Sequence, residues 1–173
     1  MTRWITTLFG VGLLRPAPGT WGSTVAILLG LILLRFGGFI EFAAATLVVT
    51  VLGFWAVGVE LRDRPGADPA EIVIDEVAGQ WIALLFPAAG FAFSTTGQAF
   101  LGSHGGWLPW PAYVAPFLLF RLFDIWKPWL VGRADRRGDA AGVMIDDLWA
   151  GLFAGVGTIL LAVAYHIPLI LLK

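Results

Sequence analysis

The sequence contains no cysteine and only two histidines in 173 residues. Without a thiol, the chain cannot form disulfides, iron–sulfur clusters or thiolate zinc sites, and it cannot use a cysteine nucleophile. Charged residues are also scarce, at 13% of the chain, whereas globular proteins carry about 25%. The composition therefore excludes an ordinary soluble domain.

Hydrophobic residues make up 58% of the chain, and the mean hydropathy is +0.84. Long apolar runs between short polar loops predict an all-α, polytopic membrane helix bundle. The predicted order is a short amphipathic helix at 2–14 and then about five spans, at residues 23–35, 40–59, 72–87, 112–131 and 148–172. Residues 93–110 are expected to form an uncharged loop, and residues 1–173 to form one integral-membrane domain.

Most basic residues fall at one end of these predicted spans. With five spans and the N-terminus inside, the cytoplasmic side receives Arg3, Arg15, Arg62, Arg64, Arg133, Arg136 and Arg137. The other side receives only Arg35 and Lys173. Positive residues concentrate on the cytoplasmic side of membrane proteins, which supports this orientation. Four spans with a re-entrant first segment are the alternative.

Two pairs of adjacent carboxylates stand at the heads of apolar runs. Asp75 and Glu76 open the third predicted span, and Asp146 and Asp147 precede the last one in a similar pattern. Ionised groups at membrane depth are costly, so they indicate function by default. The two spans run in the same direction, which puts both pairs at the cytoplasmic end. Helix capping would explain one pair, but it explains two matching pairs less well.

Four carboxylates packed together repel one another. Two charges 4 Å apart cost about 4 kcal/mol at an effective dielectric of 20. The cluster therefore needs a bound cation, protonation or basic partners. Because oxygen ligands are plentiful and thiolates are absent, the expected cation is Mg²⁺, with Mn²⁺ or Ca²⁺ as alternatives.

A stripe of charged residues lies along the fourth predicted span. Arg121, Asp124 and Lys127 are spaced three residues apart, so they share one face of an otherwise apolar helix. Such a face lies towards the bundle interior or a water-filled cavity. In the functional interpretation, Asp124 joins the metal ligands while Arg121 and Lys127 bind an anion. The alternative is an ion-pair ladder that only holds helices together.

A glycine-rich turn at residues 18–23 leads into the first span, with Ser23 or Thr24 as its N-cap. Such a turn presents free N–H groups that suit phosphate, which makes Gly19, Thr20 and Ser23 candidate substrate contacts. Asp68 and Asp139 are interpreted as loop or cap residues. Neither His104 nor His166 is placed to act at the carboxylate cluster.

Four motifs in series, at residues 18–23, 72–80, 121–128 and 144–151, resemble the phosphatidylglycerophosphatase A family. The resemblance implies a Mg²⁺-dependent lipid phosphatase of bacterial inner membranes, which converts phosphatidylglycerophosphate to phosphatidylglycerol. The charge distribution places the expected active site on the cytoplasmic face. We expect anionic membrane lipids as partners and no nucleic acid. The site acids would be Asp75, Glu76, Asp124, Asp146 and Asp147. Arg121, Lys127 and Thr20 would contact the substrate.

Two routes to hydrolysis are compatible with these residues. Either a metal-activated water attacks in line with one carboxylate as base, which we favour, or an Asp side chain is the nucleophile. The alternative function is an ion or proton transporter that uses the buried carboxylates. A CDP-alcohol phosphotransferase is disfavoured because its Asp-x-x-Asp-Gly-x-x-Ala-Arg pattern is absent.

Overall fold

The computed structural model describes residues 2–63 and 69–171, with side chains described as far as residue 167. Within these ranges the chain is helical and contains no strand. The helices are α1 Thr2–Thr6, α2 Pro18–Phe36, α3 Phe39–Glu60, α4 Ile74–Phe93, α5 Thr95–Ser103, α6 Pro111–Trp126, α7 Leu130–Asp135 and α8 Ala140–Leu171. The predicted all-α bundle is confirmed. Arg64, Asp68 and Lys173 lie outside the described residues.

Within the described part of the chain, four helices are long and apolar enough to cross a membrane: α2, α3, α4 and α8. The fourth predicted span is shorter than expected, because α6 ends at Trp126 after 16 residues. Pro128 explains this end, since proline cannot continue a helix and disfavours helical backbone in the residue before it. Lys127 and Trp129 on either side of it adopt positive φ angles, of 51° and 45°.

Other boundaries also differ from the sequence expectation. Helix α2 begins at Pro18, in place of the predicted start at Ser23 or Thr24, because proline is well suited to the first turn. The loop expected at 93–110 contains α5, whose Ser94 cap accepts a hydrogen bond from the Gly97 N–H at 3.0 Å. The predicted N-terminal helix is divided into α1 and a 3-10 turn at Val11–Leu13.

Helix α4 lies at the centre of the bundle and packs against α2, α3, α6 and α8. Half of the apolar, membrane-length stretch of α4 is buried (50%), compared with 28% in each of the other three candidate spans. The contact with α8 is made through small residues. A Cβ on Gly151 would collide with the backbone of Gly79, so the two helix backbones touch directly.

The N-terminal segment supports the residues that lead into α4. The Val73 N–H donates to the Thr6 carbonyl at 2.8 Å. Gly12 packs against the Glu71 carbonyl so closely that a Cβ there would overlap it. These contacts fix the start of α4, where the first acid pair lies.

Candidate active site

A cavity of about 250 Å³ opens at one end of the bundle, where α2, α4 and α8 begin and α6 ends. Its polar lining brings together most of the residues singled out from the sequence: Gly19, Asp75, Glu76, Arg121, Asp124, Lys127, Asp146 and Asp147. Five carboxylates therefore share one small cavity with two basic side chains. The expected meeting of the two acid pairs is what the structure shows.

Three of the carboxylates form the tightest group. One oxygen from each of Asp75, Glu76 and Asp147 lies within 4.8 Å of the others. Asp75 and Asp147 are buried, with 7% and 3% of their surface exposed. The Oε2 atom of Glu76 is also buried and has no hydrogen-bond partner among the described residues. Closely spaced carboxylate oxygens with unused acceptor capacity fit a hard cation such as Mg²⁺.

The second acid pair is held by the start of α8. The Asp139 carboxylate caps this helix and accepts a hydrogen bond from the Gly142 N–H at 2.7 Å. A hydrogen bond from the exposed Arg137 side chain lowers the pKa of Asp139, which keeps the cap ionised. Two turns later, the Asp147 N–H donates to the Asp146 carboxylate at 3.0 Å. Asp139 therefore acts as the predicted cap.

Arg121 connects α6 with α2 and α4. Its Nη1 atom lies 2.7 Å from the Asp124 carboxylate and 4.0 Å from that of Glu76. The same atom donates to the Ser23 hydroxyl at 3.3 Å. Asp124 thus has a basic partner, and it lines the same cavity as Asp147. The spacing of three residues between Arg121 and Asp124 placed them on one face, as expected.

Lys127 pairs with different helices. Its Nζ donates to the Asp146 carboxylate at 2.8 Å and to the carboxylate of Asp135 on α7. The charged stripe is therefore not a self-contained ladder on α6. Sequence reasoning missed Asp135, because the helical spacing that links Arg121 to Lys127 stops at Pro128.

The glycine-rich turn contributes two residues, Pro18 and Gly19, to the cavity lining. Gly19 lies beside Glu76 and Arg121, and a Cβ there would strike the Glu76 carboxylate. Its N–H belongs to the first turn of α2, where backbone donors have no partner within the helix. Thr20 and Ser23 do not line the cavity. Ser23 is buried and contacts Arg121, while the Thr20 carbonyl accepts from Thr24 at 2.7 Å.

Two further observations concern residues outside the predicted set and residues expected to be remote. Gln80, one turn below Glu76 on α4, is fully buried, and sequence reasoning gave it no role. His104 lies at the end of α5 and stacks on Phe100, and it does not line the cavity. His166 is exposed near the end of α8. Both histidines are away from the carboxylates, as predicted.

The sequence profile of a family described as Phosphatidylglycerophosphatase A matches residues 4–162. A Haemophilus influenzae protein named Phosphatidylglycerophosphatase A is 36% identical over 147 residues, which cover 84% of this chain and 79% of that protein. A protein of the same name from Escherichia coli K12 is 32% identical over 165 residues, covering 93% and 82% of the two chains.

A third relative carries a different name. This Bacteroides thetaiotaomicron protein is provisionally named phosphatidylinositol-3-phosphatase, and it is 35% identical over 164 residues. The alignment covers 92% of this chain and 91% of the relative. No solved structure matches the chain significantly.

Proposed function

Because the chain belongs to the phosphatidylglycerophosphatase A family and is a phosphoric monoester hydrolase, we propose that its substrate is phosphatidylglycerophosphate, which it hydrolyses to phosphatidylglycerol. The family resemblance carried by the four sequence motifs is confirmed by the match over residues 4–162. The transporter alternative receives no support from these relatives. One phosphatase domain spanning residues 1–173 accounts for the match.

One observation carries this proposal: a carboxylate cluster and two basic side chains, Arg121 and Lys127, share a cavity at the end of a membrane helix bundle. The phosphate of a lipid headgroup lies where the bilayer meets water. A cavity at the end of the helix bundle is therefore well placed to receive it. Phosphoryl transfer depends on positioning and charge neutralisation. Carboxylates that can hold a cation, together with two basic side chains, can supply both the positioning and the charge neutralisation.

Asp75, Glu76 and Asp147 would hold a divalent cation, for which we propose Mg²⁺. When bound, the ion supplies positive charge at the phosphate and activates water for attack. Asp124 and Asp146 also line the cavity, but each already has a basic partner, Arg121 and Lys127 respectively. We therefore assign these two acids to the edge of the metal site.

Arg121 and Lys127 would bind the phosphate oxygens. Arg121 offers a planar fork of donors and Lys127 a compact charge, and both reach the cavity from the end of α6. The Gly19 N–H at the start of α2 is a third donor, favoured by the helix dipole. Thr20 and Ser23 do not line the cavity, so they would act indirectly. Ser23 would do so by accepting a hydrogen bond from Arg121.

Hydrolysis needs a base near the phosphate. The proposed catalytic acids are the two adjacent pairs, Asp75 with Glu76 and Asp146 with Asp147. Of these four, Asp146 lies outside the close group that the other three form. We assign it the role of accepting a proton from the attacking water, with Lys127 stabilising the ionised carboxylate.

The relatives are bacterial proteins, and the chain has several membrane-length helices. Among the described residues, Arg62 after α3 and the arginines in and after α7 (Arg133, Arg136 and Arg137) lie at the cavity end. This placement supports a bacterial inner-membrane location with the active site facing the cytoplasm and anionic lipids. The substrate would then be presented by the leaflet in which the cavity lies.

The relative named for a phosphoinositide makes phosphatidylinositol 3-phosphate a second candidate substrate. The test is phosphate release by the purified protein in mixed micelles that contain either lipid, with and without Mg²⁺. We expect hydrolysis of phosphatidylglycerophosphate to be at least about tenfold faster in kcat/KM. A reversed preference would reassign the substrate, and inactivity on both lipids would refute the proposed function.

A further inference from the structure

Three polar side chains beside the cavity contain buried atoms without a hydrogen-bond partner among the described residues. The atoms are Oε2 of Glu76, Nε of Arg121, and both Oε1 and Nε2 of Gln80. Gln80 is fully buried, at 0% exposure. Because a buried polar group without a partner is costly, each of these atoms requires an explanation.

Helix spacing places Gln80 below Glu76. The two residues are four apart on α4, so they lie on the same face one turn apart. Gly19 of α2 lies beside Glu76, and the carbonyl of Ala26 accepts a hydrogen bond from the Trp81 indole at 2.7 Å. Helices α2 and α4 therefore run side by side in the same direction, and Gly22, next to Ser23, packs against Val73 just before α4.

Arg121 of α6 reaches both Ser23 and Glu76. Its Nη1 atom donates to the Ser23 hydroxyl at 3.3 Å and lies 4.0 Å from Oε1 of Glu76. Arg121 therefore lies beside Glu76, and Gln80 follows one turn later on the same face of α4. Because helical side chains lean towards the N-terminus of their helix, the unpartnered Gln80 amide is directed towards the turn that carries Glu76. Gln80 itself is not part of the cavity lining.

We propose that Gln80 is a positioning residue that fixes the guanidinium of Arg121 through one buried water. The amide provides both an acceptor and a donor, so it can serve the Arg121 Nε–H and the Glu76 Oε2 together. A water with two to four polar partners is stable at such a site, and these side chains provide that number. The inference rests on the proposed role of Arg121 in binding the substrate phosphate.

The first test removes the amide while keeping the length of the side chain. Gln80→Met should lower kcat/KM for the lipid phosphate about tenfold and raise the Ki of inorganic phosphate by a similar factor. Thr46→Val is the matched control, because Thr46 is a buried polar residue on α3 that bonds only within its own helix in the described structure. This control should stay within about twofold of wild type.

A double-mutant cycle then separates positioning from general loss of structure. Lysine has no Nε–H branch, so Gln80→Met should cause less than about a twofold further loss in an Arg121→Lys background. A full, additive loss in that background would overturn the proposal. If Gln80→Met does not fold, Gln80→Asn replaces it, since the shorter side chain withdraws the amide by one methylene.

The two proposals fail in distinguishable ways. Absence of phosphate release by the wild-type protein would refute the proposed function. Wild-type kinetics and phosphate inhibition in folded Gln80→Met or Gln80→Asn would refute the positioning role, while leaving the proposed function intact.

Discussion

Gly79 and Gly151 face each other where α4 crosses α8, and the backbone of Gly79 occupies the space that a Cβ on Gly151 would need. Each glycine lies four residues after a buried cavity acid, Asp75 on α4 and Asp147 on α8. Small residues allow two membrane helices to approach closely. Since both helices begin at the cavity, this contact brings the two acids together.

The first prediction tests that contact with Gly151→Ala. The added methyl group meets backbone atoms, which cannot move aside like the end of a side chain. The helices must separate, which should lower the free energy of unfolding by about 1–3 kcal/mol. Phosphate release should fall because the distance between Asp75 and Asp147 increases. Thermal unfolding in detergent and a phosphate-release assay measure both effects.

Gly58→Ala is the control for this substitution. A Cβ on Gly58 of α3 has no heavy atom within 4 Å. Alanine is the better helix former, so this variant should be unchanged or more stable by up to about 1 kcal/mol. Equal stability and activity in the two variants would show that the glycine contact does not set the site.

The convergence of the two acid pairs could be predicted from the sequence. The pattern Ile-Asp-acid followed by Ala-Gly occurs at the heads of two spans that run in the same direction. Any close packing of those spans brings Asp75 and Asp147 together. The all-α fold likewise follows from the long apolar runs.

Other features depend on tertiary contacts that sequence patterns do not encode. Asp135 holds Lys127 across the break between α6 and α7 at Pro128, where helical periodicity carries no information. Helix α5 is short and weakly apolar, and its Ser94 cap was not distinguishable from a loop residue. That the buried Gln80 amide has no partner among the described residues depends on the tertiary packing around α4.

The second prediction concerns the metal. Asp75→Asn should abolish phosphate release, and chelation by EDTA should do the same to the wild-type protein until Mg²⁺ is restored. Mg²⁺ should also raise the Tm of the wild type but not that of Asp75→Asn, because a ligand stabilises the state that binds it. Asp63→Asn, in the exposed segment after α3, is the control. Full turnover in the presence of chelator would exclude metal dependence.

The third prediction concerns orientation in the membrane. The chain lacks cysteine, so single introduced thiols can be labelled without background. Asp63→Cys, in the segment that follows α3, should react with an impermeant reagent only from the cytoplasmic side. Ser103→Cys at the end of α5 should react only from the opposite side. Both positions are exposed, so the reagent can reach either thiol from its own side of the membrane. The reverse pattern would place the active site on the outer face.

The fourth prediction concerns the phosphate contact of Arg121. In Arg121→Lys the charge is kept, but the planar fork that binds two phosphate oxygens is lost. We expect kcat/KM to fall at least tenfold, which corresponds to about 1.4 kcal/mol, with Mg²⁺ affinity little changed. Arg137→Lys is the matched control, because Arg137 pairs with Asp139 outside the cavity and is exposed.

Replacing Arg121, Asp124 and Lys127 together by apolar residues separates this role from helix association. If these residues served only as ion pairs, the triple variant would be less damaged than the single variants, since removing one partner leaves a buried charge unpaired. Phosphate binding predicts instead that each single change lowers activity and that the triple change restores nothing. Lys127 already bridges Asp135 and Asp146, so its loss should also loosen α7 from α8. Activity recovered in the triple variant, or wild-type kinetics in Arg121→Lys, would leave Arg121 with a structural role alone.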